Sequence, residues 1–217
     1  MDATKCFRIK NVIKLTTCSR LAKELIFTMC FLTFFLCSCN NAHSQQKDNV
    51  DQEIAAIQEA YKNGDWDKII SIGDKLIGDD DPYNISIIYA EGMAAKGYVE
   101  KAINVLDKKI SKTPDDYFLY NTKGNVYYVA GQLDSAFQYY NKVIEMRPGY
   151  ARAYIRNGEI CELVDDNEWA IKYYFQALKL FAANNFKDEV LLYSNKILEL
   201  DPTNEEAKAY LEEFEKK

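Results

Sequence analysis

The chain has 217 residues, 48% of them hydrophobic and 28% charged, with a net charge of −6. That length fits one domain with appendages, the apolar content is enough for a core, and nine glycines and four prolines are too few for a turn-rich β architecture. An acidic balance excludes nucleic acid as the default partner, because phosphates need a basic face.

The first segment is set apart by charge. Six basic residues (Lys5, Arg8, Lys10, Lys14, Arg20, Lys23) and only two acids (Asp2, Glu24) precede Cys39, so a basic head stands before an acidic body. That is the pattern of a targeting segment on a mature protein. Leu25 to Cys37 is a 13-residue apolar run broken only by threonine. A membrane span needs about 20 residues, so the run fits the apolar stretch of a secretory signal. It ends in Leu36-Cys37-Ser38-Cys39. This tetrapeptide resembles the lipobox of bacterial lipoproteins: a branched apolar residue, a tolerant position, a small residue, then the cysteine. The resemblance implies that residues 1–38 are a signal peptide and that Cys39 is lipidated and becomes the new N-terminus. The other reading is an uncut signal anchor.

Residues 39–49 are polar and nearly free of aromatics, and are read as a flexible tether. The only histidine, His43, lies there without the second histidine or cysteines that a metal site requires. Five of the six cysteines lie at or before Cys39, which leaves Cys161 alone in the body and no internal disulfide after cleavage.

From Val50 onward the pattern is helical and repeats. Gly64 to Pro82, GDWDKIISIGDKLIGDDDP, reads as a turn, a helix and a stop, the second half of a unit over about 50–82. From Tyr83 the stride is 34 residues, giving units 83–116 and 117–150, and a third over 151–183. Small residues recur at the eighth place (Ala90, Gly124, Gly158) and the twentieth (Ala102, Ala136, Ala170). Larger ones recur at the fourth (Tyr120, Tyr154), eleventh (Met93, Tyr127, Cys161) and twenty-fourth (Leu106, Tyr140, Tyr174). Small places let two helices approach closely, and large ones fill the space beside that contact. Turn signals fall between the helices at Lys96-Gly97-Tyr98 and Ala130-Gly131-Gln132, and Pro114 and Pro148 end the second helices.

A 34-residue helical period with these places resembles the tetratricopeptide repeat. The resemblance implies an all-α fold, a tetratricopeptide-type helix-turn-helix solenoid wound as a right-handed superhelix, with about four repeats plus a C-terminal capping helix. After residue 168 the register slips. The segment Glu168 to Ala183 serves either as a second helix, through Ala170 and Ala177, or as the first helix of a new unit, through Tyr173, Ala177 and Leu180. Residues 184–217 are then a partial unit and a cap, whose last helix runs from Asn204 to about Glu215 and is rich in Glu and Lys.

In this family the first helices line a concave face. By the family pattern that face receives Ile87, Glu91, Phe118, Asn121, Asn125, Tyr128, Arg152, Ile155, Arg156 and Glu159. Amides pair with peptide backbone and arginines fork onto carboxylates, so the resemblance implies a protein or extended peptide as partner. One subset of the family clamps C-terminal carboxylates with five Lys, Asn and Arg positions. Here Ile87, Glu91 and Thr122 stand at three of them, which excludes that clamp. A weaker anionic contact at Arg152 and Arg156 is one expectation, and a solvated helix face balanced by Glu159 and Glu162 is the other.

Asp79-Asp80-Asp81 lacks the spaced ligands of a calcium loop and reads as a solvated turn. Cys161 fills a core place as an inert thiol. With no nucleophile beside a base, no phosphate loop and no metal cluster, the sequence points to neither enzyme nor cofactor. The expectation is a lipid-anchored adaptor on an outer membrane facing the periplasm. Asn40, rather than the aspartate that retains enteric lipoproteins at the inner membrane, follows the lipidated cysteine and favours the outer membrane where that sorting rule holds; inner-membrane anchoring is the alternative. Two further roles are a permanent subunit of an outer-membrane assembly complex and a docking regulator of a cell-wall enzyme.

Overall fold

The computed structural model of the protein describes residues 49–78 and 83–216. The expected signal peptide, Cys39, the tether through residue 48 with His43, and Asp79-Asp80-Asp81 all lie outside the described residues. Residues 54–217 form one compact unit. Its described elements are helices: α1 over 49–63, α2 (Trp66–Leu76), α3 (Tyr83–Ala95), α4 (Val99–Lys112), α5 (Tyr117–Val129), α6 (Leu133–Met146), α7 (Ala151–Leu163), α8 (Asn167–Ala183), α9 (Lys187–Leu200) and α10 (Glu205–Glu215). The expected unit starts at 83, 117 and 151 are the first residues of α3, α5 and α7.

Two kinds of turn alternate, and each has a sequence cause. After α1, α3 and α5 the chain turns through a left-handed residue, Gly64 (φ 68°), Gly97 (φ 83°) and Gly131 (φ 70°), where a side chain would cost strain. The next amide then reaches back five residues: Asp65 N to Ala60 O at 2.9 Å, Tyr98 N to Met93 O at 2.8 Å, Gln132 N to Tyr127 O at 2.9 Å. This is a Schellman closure, which satisfies carbonyls that the helix end leaves free. After α4, α6 and α9 the chain leaves instead through an extended residue, Thr113, Arg147 or Asp201, and proline follows. Side chains of Asp65, Asp116, Asp166 and Asn204 cap α2, α5, α8 and α10.

The core is a set of size-matched pairs between the eighth and twenty-fourth places of each unit. Gly124 faces Tyr140, and Gly158 faces Tyr174: a Cβ added to either glycine would lie 2.7 Å or 2.6 Å from the ring. In the preceding unit the same places hold Ala90 and Leu106, both buried; in the first they hold Ile57 and Gly73, and there Gly73 is met by the Tyr89 ring of the next unit. As one residue grows, the other shrinks, so the helix spacing is kept.

The slipped register resolves through α8. Its C-terminal end turns through Asn185 (φ 56°), just as α7 turns through Asp165 (φ 58°), and Phe186 N closes on Phe181 O at 3.0 Å. By that turn α8 ends as a first helix, while Ala170 and Tyr174 at its beginning are buried as in a second helix. One 17-residue helix therefore serves both roles, packing on α7 and on α9. The turn puts Leu178, rather than Ala177, in the eighth place, and Ser194 faces it by register; both are fully buried. α10 begins as a first helix, one residue after the expected Asn204, and buries Ala207 and Phe214.

Between successive units runs a polar contact that the repeat pattern did not reveal. Tyr89 donates to Asp74, Lys123 to Asp107, and Asn157 Nδ2 to Asn141 Oδ1 at 2.7 Å. All three link the seventh place of one unit to the twenty-fifth of the unit before it.

Candidate partner-binding groove

The expected groove residues divide into three groups. Glu91 and Asn125 belong to a hydrogen-bonded chain. Tyr61 Oη donates to Glu91 at 2.7 Å, Asn125 Nδ2 to Glu91 at 3.5 Å, and Tyr140 Oη to Asn125 Oδ1 at 2.9 Å. The Glu91 hydrogen bond, followed by burial and the Glu91 charge, pushes the Tyr61 hydroxyl up to about 12, against the opposing charge of Arg152. Burial pushes Tyr140 up as well. These amide and carboxylate groups hold α1, α3, α5 and α6 together.

A second group surrounds Arg156. Its guanidinium bonds Glu159 at 2.7 Å and lies 5.3 Å from the centre of the Tyr128 ring. Burial alone would lower the Arg156 pKa, but the Glu159 hydrogen bond and charge outweigh it and the net shift is upward. Arg152 is exposed and has no carboxylate at ion-pair distance among the described residues; its charge acts on the hydroxyls of Tyr61, Tyr150 and Tyr193. The two arginines are thus unlike. Arg156 is already neutralised, and Arg152 is available.

In the third group Asn121 and Ile87 depart from the expectation, while Phe118 is exposed. Asn121 is only 5% exposed, and its Oδ1 is buried with no hydrogen-bond partner among the described residues. It is part of the interior, because its helix is covered on that side by its neighbours. Ile87 is half-buried against the core around Leu106. Phe118, 44% exposed, packs on Tyr117 at 4.3 Å and Tyr150 at 5.8 Å, and the Arg147 guanidinium lies 4.8 Å from the Tyr117 ring. Tyr117 and Tyr150 therefore form an aromatic edge with Phe118.

Part of the groove lies between α7 and α9. A hollow of about 520 Å³ is lined by Tyr150, Arg152, Ile155 and Arg156 on one side and Glu189, Leu192 and Tyr193 on the other. A second hollow, of about 490 Å³, shares Glu159, Leu192 and Tyr193 and adds Tyr128, Glu162 and Lys196. Lys196 pairs with Glu162 at 2.9 Å, and Tyr174 donates to the same carboxylate. Leu192, Tyr193 and Lys196 were not foreseen, because α9 takes up its position only through the double use of α8; Glu162, on α7, was expected only as a solvated carboxylate. Tyr61 was not foreseen either, although it stands at the twelfth place of the weak first unit.

The groove offers apolar and aromatic side chains and, among the described residues, one cation without a carboxylate at ion-pair distance, Arg152, which suits an extended polypeptide with an apolar side chain. Among the described residues no three His, Cys, Asp or Glu side chains are grouped to hold a metal.

No protein-family model and no curated protein sequence matches the chain. Solved structures do match. TTC0263, a thermophilic TPR protein of Thermus thermophilus, superposes with a TM-score of 0.52 at 16% identity, covering 76% of this chain and 97% of its own. A crystal structure of MamA superposes with a TM-score of 0.54 at 17% identity, covering 74% and 92%. A second MamA structure gives 0.53 at 18% identity, covering 76% and 88%. The fold is a tetratricopeptide-type helical solenoid.

Proposed function

We propose that the chain is a scaffold rather than an enzyme, and that it grips an extended segment of a partner protein in the groove between α7 and α9. The observation that carries this reading is the hollow that Ile155, Leu192 and Tyr193 line together with Arg152, which has no carboxylate at ion-pair distance among the described residues. A photo-crosslinking residue at Leu192 in intact cells, followed by mass spectrometry, tests it. The expected result is one discrete adduct that Arg152→Glu abolishes; absence of any specific adduct overturns the reading. An adduct in fixed, near-equal amount would indicate a permanent subunit of an assembly complex, and a cell-wall enzyme in the adduct would indicate a docking regulator.

We further propose that a lipid on Cys39 tethers the solenoid in a bacterial envelope, on an outer membrane facing the periplasm. The motif Leu36-Cys37-Ser38-Cys39 after an apolar run supports this. Metabolic labelling with an alkyne fatty acid tests it: the natural chain takes up label and fractionates with membrane, and Cys39→Ala does neither. Label on Cys39→Ala would exclude the cysteine. Density separation of the two membranes distinguishes outer from inner anchoring.

A further inference from the structure

The groove does not account for a second hollow on the other side of α7. It measures about 690 Å³ and lies over the end of α7 between the first turns of α6 and α8. Leu133 and Phe137 line it from α6, Ile160, Cys161 and Val164 from α7 and the turn after it, and Trp169 and Tyr173 from α8. Phe137, Tyr173 and Trp169 form a continuous aromatic strip, with ring centres 5.8 Å and 6.0 Å apart. Trp169 is 51% exposed.

Comparison with the preceding unit, one stride of 34 residues earlier, explains how the hollow arises. There the counterpart of Cys161 is Tyr127, whose ring stacks on Tyr139 at 5.4 Å, and Lys123 lies over the same Tyr139 ring at 4.8 Å. The cleft between those units is filled. In the later unit a thiol replaces the tyrosine and Asn157 replaces the lysine, so Tyr173 keeps its place and its contact with Asn157 but loses the stacked ring and the overlying cation. At the rim Trp169 stands where the earlier unit has Ser135. An emptied cleft beside a new exposed indole is the composition of an interface anchor, since tryptophan is enriched where binding energy concentrates.

The charged residues that line it have one sign. Asp134 and Asp166 line the hollow, and neither has a cation at ion-pair distance among the described residues. Asp166 accepts from Trp169 N at 3.2 Å, which leaves the rest of its carboxylate free. The nearby Lys172 is spent: it bonds Glu168 at 2.6 Å and covers the outer face of Trp169 at 4.4 Å. An apolar hollow with unpaired carboxylates at its rim is complementary to a bulky apolar side chain with basic neighbours.

We propose that this hollow is a second docking site, which takes a basic segment of a partner protein and seats one large apolar side chain between Trp169, Phe137 and Cys161. It is independent of the groove, and the two sites together would let one solenoid hold two partners.

The test uses the full chain and a short acetylated peptide with a central phenylalanine flanked by lysines. Trp66→Phe leaves Trp169 as the single indole, and calorimetry on the unaltered chain checks the same constant. The expected result is a saturable change in Trp169 emission, absent with a peptide carrying glutamate for lysine. Cys161→Tyr, which refills the cleft as Tyr127 does, weakens binding by about tenfold or more. Asp134→Lys, at an exposed position, weakens it similarly and keeps the test open should Cys161→Tyr fail to fold by circular dichroism. Arg152→Glu leaves it unchanged. No saturation with the lysine peptide, equal binding of the glutamate peptide, or loss of binding in Arg152→Glu each overturns the proposal.

Discussion

Gly124 and Gly158 are pressed so closely against tyrosine rings that the core can be probed one methyl group at a time. In Gly124→Ala the new Cβ would meet Tyr140 Cε1 at 2.7 Å, and the ring is fully buried with no room to retreat. Overpacking of this kind costs about 1–3 kcal/mol. The unit before it already shows the remedy, because Ala90 and Leu106 hold the same two places. Gly124→Ala with Tyr140→Leu is therefore expected to lose less stability in urea than the two single changes summed, and strict additivity would refute the size-matching account. The buried tyrosines also set a pH limit. The hydroxyl of Tyr61 is pushed up to about 12 by its bond to Glu91, and those of Tyr89, Tyr140 and Tyr174 are raised by burial first. A raised folded-state value means stability that is fully present below the unfolded value of 10.0 and is lost as pH climbs through the folded one. Unfolding free energy should fall as pH rises from 10 to 12, and Tyr61→Phe should make that fall shallower. The size-matched pairs were legible in the sequence because their residue types recur. The polar contacts between units were not, because Tyr89–Asp74, Lys123–Asp107 and Asn157–Asn141 share a position and no chemistry. The emptied cleft at Cys161 was read only as a core place, since a missing ring is visible only beside the ring it replaces.

Elements are divided from one another by turns, and here sequence and structure part where glycine gives way. Gly64, Gly97 and Gly131 announce the end of a first helix, but Asp165 and Asn185 adopt the same left-handed conformation without the glycine signal. That is why the stride was clear to residue 167 and ambiguous beyond it. Apolar spacing along α8 supports either role because the helix performs both, so no reading that assigned one role could be complete. The substitution follows directly. Asp165→Gly removes the cost of a Cβ at φ 58° and should stabilise the fold by about 0.5–1 kcal/mol. Gly131→Asp should destabilise it by a similar amount, and both are readable as shifts of the urea midpoint with an unchanged slope. If Asp165→Gly is neutral, the aspartate is making a compensating contact.

At the scale of the whole molecule a solenoid has no single core, and each helix is held only by its immediate neighbours. Among the described residues four hydrophobic clusters, near Ile69, Leu106, Tyr140 and Tyr174, follow one another along the chain, linked by Ile77 between the first two and Phe137 between the last two. Local damage should therefore stay local, and the C-terminal end is the place to measure it. α10 packs through Ala207, Tyr210 and Phe214, the last only 2% exposed, and through the Glu206–Lys179 pair at 3.2 Å, while Glu205 and Glu212 are exposed. It covers α9, which in turn forms one wall of the groove. Truncating a buried phenylalanine costs about 3–5 kcal/mol. In Phe214→Ala that loss should fall on α9 and α10, with amide exchange there rising by orders of magnitude while α3 to α6 keep their protection. Groove binding should weaken too, because Leu192 and Tyr193 are carried on the helix that has lost its cover. The hollow beside Trp169 is built on α6, α7 and α8 and should keep its peptide. A uniform rise in exchange from α3 to α10 would mean that the stack unfolds as one unit, and that the two sites are coupled through it.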